Sequence, residues 1–445
     1  MAGSIKNPRN GCGLHGALQT VQEITGAVPV VHANAGCGVI QGLASQGVGG
    51  GNGIFQGTTI PGTTAQERHV IFGGASRLRE QIKNTVKVVD GDLYVILNSC
   101  ESAMVGDDVD AMTKEIVEQG EPVVDTLVAG FNGDAHFGYE RVLADILKAL
   151  DGVKKVSAEK KHNLVNLFGV IPQKNPYWSG DLQNIVKLFE TLGIQVNTFF
   201  GPKNGVEELV QASQAAASIV VSRWGEQPAQ VLFEKYSVPV IDVAGLPVGA
   251  KATEEFLREV AKVVTIDETA IENFLTQAYE KEQYYAGKIR KDLLLEDAIT
   301  EIAIVGDEAE VSSLAQYAKD VLGARVVAAV LTDVPKKDDV HRRDYKTVIG
   351  QRAEQIYLTQ DQKEISEILR QSGVNYVLGS SLEAKVSKDL EVPLLEISYP
   401  VYHKTILNKS YVGAEGGLAF AEDYVTKWKE GQAEKKERLL TYISA

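Results

Sequence analysis

Short runs of β-branched and other apolar residues alternate with amphipathic stretches along most of this 445-residue chain. That alternation constrains the fold more than any other feature, because parallel strands need a crossover long enough to hold a helix. The runs "DLYVILNSC" (92–100), "EPVVDTLVAGF" (121–131), "LVNLFGVI" (164–171), "IQVNTFFG" (194–201), "ASIVVS" (217–222) and "PVIDVAG" (239–245) read as strands. So do the openings of "EIAIVGDEAE" (301–310), "ARVVAAVLT" (324–332), "EQIYLT" (354–359), "NYVLGSS" (375–381) and "VPLLEISYP" (392–400). The stretch 105–120 reads as a helix with Asp107 and Asp108 in its first turn, where carboxylates face the free N–H groups. Another helix is expected over 179–193, with Ser179 as its N-cap and Gly193 as its stop. The expected fold class is α/β, with three Rossmann-like units, each a parallel sheet flanked by helices. A charged passage at 147–163 separates the first unit, 1–158, from the second, 159–267. The third, 268–445, comprises a long helical connector, a further Rossmann-like domain and a C-terminal helix.

Charge and motif content exclude several functions. The formal net charge is −14, and no lysine- or arginine-rich block stands out before the tail "KWKEGQAEKKERLL". The chain is therefore not expected to bind nucleic acid or an anionic membrane. No apolar run reaches membrane-spanning length, and "MAGSIKNPRNGCG" has no signal-peptide h-region, so a cytoplasmic location is expected. The glycine run 47–53 belongs to no GxxxxGK[ST] motif, and "IVGDEAE" lacks the later glycines of a dinucleotide turn. Neither supports an ATPase or an NAD enzyme. Seven histidines, His15, His32, His69, His136, His162, His341 and His403, show no HExxH or similar pairing. His403 could touch a ligand but reads better as a satisfied structural residue.

The three cysteines, Cys12, Cys37 and Cys100, all lie in the first quarter of the sequence. Spaced 25 and 63 residues apart without a CxxC, they fit isolated core thiols as well as ligands. Their context favours ligands. Gly11 and Gly13 flank Cys12, Gly36 and Gly38 flank Cys37, and Cys100 closes a strand. In α/β units ligands gather beyond the carboxyl ends of strands, and a bulky inorganic cluster needs thiolates with small neighbours. Three thiolates are one short of the four that usually hold a cubane, so a second subunit would have to complete such a site.

The segments "NPRNGCGLHGA", "VPVVHANAGCG" and "NSCESAMVGDDVDAM" resemble the cluster-binding segments of the nitrogenase component 1 family. "TTAQERHVIFGGASRLREQI", "GFNGDAHFGY" and "ISYPVYHKTILNKSYVGAEGG" extend the resemblance over essentially the whole chain. The family includes dinitrogenase α and β chains, a cofactor-assembly scaffold pair and related two-component reductases. The resemblance implies an oxidoreductase subunit in which Cys12, Cys37 and Cys100 bind an iron–sulfur cluster, of the [8Fe-7S] P-cluster type or [4Fe-4S]. That cluster would be shared with an α-like subunit in an α2β2 complex, with electrons supplied by a separate ATP-hydrolysing iron protein. The family's α chain holds the active-site cofactor through a downstream cysteine and histidine. No cysteine follows Cys100 here, so the chain resembles the β type, whose partner would set the substrate. A serine that ligates the cluster in some β chains corresponds to a position near Gly130, and little sequence precedes Asn7, implying a smaller subunit contact. Two rivals stand beside this reading: a cofactor-assembly scaffold without turnover, and a metal-free paralogue with merely buried cysteines.

Overall fold

The computed structural model describes residues 9–37, 60–157, 159–295, 300–334 and 348–443. Gly38, His341 and the glycine run 47–53 fall outside these residues.

Three parallel sheets flanked by helices make up the architecture. The first sheet runs β1 (Ala27–His32), β2 (Leu93–Asn98), β3 (Val123–Leu127). Around it lie α1 (Gly13–Gln22), α2 (Glu67–Phe72), α3 (Ala75–Val88), α4 (Cys100–Val105), α5 (Val109–Val117) and α6 (Ala135–Val153). All six residues of β2 are buried, which is why the segment reads as an unbroken apolar run.

The second sheet has the order β5-β4-β6-β7, from β4 (Lys161–Phe168), β5 (Gln195–Asn197), β6 (Ala215–Val220) and β7 (Val240–Asp242). Its helices are α7 (Trp178–Glu190), α8 (Val206–Gln211), α9 (Glu226–Tyr236) and α10 (Gly249–Ala261). Ser179 does not cap α7. A turn closed by Trp178 N–H on Asn175 O at 3.0 Å runs straight into the helix, leaving Ser179 inside the first turn and Tyr177 at the N-cap. Gly193 follows the helix with φ +75°, a stop that glycine adopts without strain.

The connector α11 (Glu268–Leu295) leads to the third sheet, ordered β10-β9-β8-β11-β12. Its strands are β8 (Glu301–Gly306), β9 (Arg325–Leu331), β10 (Gln355–Leu358), β11 (Tyr376–Gly379) and β12 (Leu394–Glu396). The helices α12 (Glu308–Asp320), α13 (Gln362–Gln371), α14 (Ala384–Asp389) and the long α15 (Gly413–Ile443) cover it. Among the described residues no helix is long and apolar enough to cross a membrane.

One apolar core is continuous through the first two sheets, taking in Leu14, Leu97, Tyr139, Phe168 and Ile219. Separate clusters line the outer face of the first sheet and the two faces of the third. Within the shared core, α1 and α6 meet backbone to backbone. A Cβ on Gly16 would lie 2.0 Å from Ala135 O, and one on Gly138 2.0 Å from Gly13 O. Two glycines therefore set how near the start of α1 stands to the start of α6.

Candidate functional site

Each cysteine stands where a helical turn begins. Cys12 is the N-cap of α1, with extended backbone (φ −89°, ψ 168°), and forms an isolated bridge with Asp134. Cys100 opens α4 directly after β2, with Ser99 as its N-cap. Cys37 lies in a helical turn beyond β1, where its N–H donates to Asn34 Oδ1 at 2.9 Å. Parallel neighbours β1 and β2 thus deliver two of the sulfurs at their carboxyl ends, and the α1–α6 contact brings the third.

The loop between β3 and α6 lies between these turns. Gly130 N–H donates to Cys100 Sγ at 3.0 Å. A Cβ on Gly130 would come 2.9 Å from Cys12 Cβ, 3.5 Å from Cys100 Sγ and 3.8 Å from Cys12 Sγ. Burial raises the Cys37 pKa, and the neighbouring Cys12 and Cys100 sulfurs, with Glu101, raise it further. Cys12 and Cys100 thus meet across Gly130, with Cys37 in their neighbourhood. Cys12 is exposed, while Cys37 and Cys100 are half-buried.

The flanking glycines play unequal parts. Gly13 is buried, gives its N–H to Gly133 O at 3.0 Å, and would meet Val128 O at 3.0 Å if it bore a Cβ. A Cβ on Gly11 would press on His15 at 2.8 Å, whereas a Cβ on Gly36 would meet, among the described residues, Asn34 Oδ1 at 3.2 Å.

A brace missed by sequence reasoning ties the Cys37 and Cys100 segments together. Asp107 does not cap the helix after it; that is done by Asp108, which accepts from Ala111 N–H at 3.0 Å. Asp107 accepts instead from Gly74 N–H at 2.6 Å and pairs with His32 Nε2 at 3.0 Å. The other ring nitrogen of His32 meets Thr63 Oγ1 at 3.1 Å, and its carbonyl accepts from Ser99 N–H at 3.2 Å. Burial lowers the His32 pKa against the opposing pull of Asp107.

Behind Cys12 lies a buried polar network. Arg9 reaches into the third unit, donating to Glu383 Oε1 at 2.5 Å, Gln362 Oε1 at 3.1 Å and Ser380 Oγ at 3.1 Å. Asn10 donates to Asp134 Oδ2 and Thr332 O, both at 3.3 Å, and accepts from Lys174 Nζ at 3.1 Å. His136, fully buried, lies between Asp134 at 3.3 Å and Asp307 at 2.7 Å and stacks on Trp224 with centroids 5.0 Å apart. Burial alone would lower the His136 pKa, but the two carboxylates carry it up to about 10. No pattern in the sequence pointed to this histidine. The lone histidine nearer the C-terminus, His403, meets Glu396 Oε1 at 2.7 Å, satisfied as expected though largely exposed.

Among the described residues no three His, Cys, Asp or Glu side chains close on a single metal ion. What the cysteine trio fits is something broader: soft thiolate donors, a donating N–H, and a close-packed loop at Gly130, where a side chain would press on Cys12. The surrounding surface is apolar. Ile71 and Phe72 of α2, which packs on α4, are 64% and 86% exposed, and Met104 of α4 and Phe131 beside Gly130 are exposed as well. Such a patch on a folded chain marks an interaction surface.

Comparison with known proteins bears on the chain as a whole. A family model described as nitrogenase component 1 type oxidoreductase matches residues 12–429. The nitrogenase molybdenum-iron protein beta chain of Methanothermobacter thermautotrophicus is 23% identical over 435 residues, 90% of this chain and 89% of that one. The alpha chain of the same protein from Methanothermobacter marburgensis is 26% identical over 433 residues, covering 93% and 86%. The nitrogenase iron-molybdenum cofactor biosynthesis protein NifE of a Nostoc species is 23% identical over 429 residues, covering 93% and 82%. A solved structure titled "Nitrogenase Cp1 at pH 6.5" shares the fold, with TM-score 0.78 and 17% identity over 98% of this chain and 95% of that one.

Proposed function

The chain belongs to the nitrogenase component 1 type oxidoreductases, and from that membership we propose that it is a β-type subunit holding an iron–sulfur cluster at a seam with an α-like partner. Cys12, Cys37 and Cys100 are its ligands to a [8Fe-7S] P-cluster type or [4Fe-4S] group. When bound, the cluster supplies low-potential electron transfer between an ATP-hydrolysing iron protein and the partner's catalytic site. The observation that carries this reading is the meeting of Cys12 and Cys100 at Gly130, with Cys37 in the turn beyond the neighbouring strand β1 and Cys12 open to the surface. Three thiolates leave a cubane or larger cluster under-ligated, so the exposed side is where the partner completes it.

The chain's own residues have separable tasks. Gly130 N–H donates to Cys100 Sγ and so orients that sulfur. The absence of a side chain at Gly130 keeps the loop clear of Cys12 and Cys100. The apolar surface of Ile71, Phe72 and Met104 suits a large partner contact. In this reading the unit 1–158 carries the cluster, and 159–267 and 268–445 back it. The complex is α2β2 and cytoplasmic, in keeping with relatives of both alpha and beta type.

Anaerobic purification with the partner, followed by iron analysis and electron-transfer assay, tests the proposal. Alanine at Cys12, Cys37 or Cys100 should each lower iron content and electron transfer; unchanged values in all three variants refute it, and a colourless, iron-free wild type establishes the metal-free alternative. The likeness to a cofactor biosynthesis protein favours a second reading, an assembly scaffold. Sustained substrate reduction with the iron protein separates the two, since a scaffold transfers its cluster without turning over.

A further inference from the structure

The third sheet ends in a short free edge. Among the described strands β12 pairs with β11 alone. Pro393 O accepts from Val377 N–H at 3.0 Å and Ile397 N–H donates to Gly379 O at 2.7 Å, so the parallel ladder turns the N–H and C=O of Leu394 the other way. On that side lies a groove of about 510 Å³, walled by α14 and α15. Its volume falls within the range of small-molecule sites.

The groove has a slight excess of lysines over glutamates in a chain whose net charge is −14, and one of its lysines, Lys427, is paired with Glu430 at 2.9 Å. Lys388, Lys404, Lys427 and Lys435 line the groove against three glutamates. One of these, Glu396, is buried and already engaged by Ser381 Oγ and by His403 Nδ1 at 2.7 Å. Lys404 is anchored, donating to Tyr177 OH at 2.7 Å. Lys388 and Lys435 have no ion pair among the described residues. A second observation is independent of charge. Ser387 lines the same wall, is 2% exposed, and its hydroxyl has no hydrogen-bond partner among the described residues. Such an orphan is costly unless something meets it.

We propose that this groove binds a small multivalent anion through carboxylate or phosphate oxygens, with Lys388 and Lys435 as charge partners and Ser387 and the Leu394 N–H as donors. A peptide strand fits less well. β12 is only three residues long, and α15 closes over its start, where a Cβ on Gly431 would come 2.9 Å from Pro393. The site lies in the third unit and stands apart from the cysteines.

Titration calorimetry of the full chain at low ionic strength tests this, with citrate and inorganic pyrophosphate as separate probes. Either should bind in the millimolar range or tighter. The Lys388→Ala/Lys435→Ala double variant should weaken binding about tenfold or more, while Lys187→Ala on α7 leaves it unchanged. Binding of citrate alone assigns a carboxylate ligand, and of pyrophosphate alone a phosphate ligand. Absence of heat from both probes up to about 10 mM, or equal affinity in the double variant and the wild type, overturns the proposal.

Discussion

Replacing Gly130 with alanine probes the cysteine site at its tightest point. The new Cβ would come 2.9 Å from Cys12 Cβ and 3.5 Å from Cys100 Sγ, while carbon atoms in contact rest about 3.5–4.0 Å apart. Cys12 or the Gly130 loop must therefore yield by roughly half an ångström or more. Helix α1 cannot recoil, because Gly16 already lies so close to α6 that a Cβ there would be 2.0 Å from Ala135 O. Overpacking of this kind costs about 1–3 kcal/mol. Alanine keeps the backbone N–H that reaches Cys100 Sγ, so the substitution isolates space from hydrogen bonding. Two measurements are needed: iron bound per chain after anaerobic reconstitution, and thermal unfolding of the iron-free protein. Gly152→Ala is the matched control, since a Cβ there meets nothing within 4 Å; in the last turn of α6 it should stabilise by up to about 1 kcal/mol. Gly130→Ala should lose most of its iron and melt a few degrees lower. Wild-type iron content together with a wild-type melting temperature would refute the packing argument.

Asp107→Ala removes the carboxylate shared by His32 Nε2 and Gly74 N–H, leaving two buried groups unmet. It should cost roughly 2–4 kcal/mol in urea unfolding and reduce iron binding; a loss under about 0.5 kcal/mol would discount the brace. His136→Ala strips the cation from between buried Asp134 and Asp307 and should cost about 3–5 kcal/mol, also read by urea unfolding, with an unchanged midpoint counting against it. The half-buried carboxyl of Asp181, pushed up from 3.8 to about 7 by desolvation against the opposing Ser410 hydrogen bond, makes stability depend on pH. Between those values the folded chain holds a proton that the unfolded chain has released, so this contribution is whole below the lower value and lost as pH rises through the upper. Asp181→Asn should flatten the fall in unfolding midpoint from pH 5 to 8; an identical slope excludes Asp181 as its source.

Most strands were legible in this sequence because parallel strands covered on both faces are largely apolar, as in β2. The position of Cys100 beyond β2 followed from the same pattern, whereas β1, the strand ahead of Cys37, was not read as one. Contacts made across long separations were not legible. Asp107 and Asp108 are chemically identical neighbours, yet one caps a helix locally while the other serves partners 33 and 75 residues away. His136 looked isolated because its partner Asp307 lies 171 residues on. The misplaced cap at Ser179 had a local cause, a turn at Asn175 that merged with the helix ahead of it. Gly130 carried no signal of its own, since the room a residue must leave free is set by its neighbours in space.

The tether of Arg9 and Asn10 to the third unit bears on the order in which the cysteine pocket can be assembled. Arg9 finds its partners more than 350 residues downstream, at Gln362, Ser380 and Glu383. Within the first unit the Cys12–Asp134 bridge and Gly13 N–H on Gly133 O already hold Cys12 against the loop before α6, whereas the arm leading into it gains its buried anchor only once the last sheet has been synthesised. Under the proposed function, a truncated product keeps all three cysteines but loses the buried anchor of the arm that leads into Cys12.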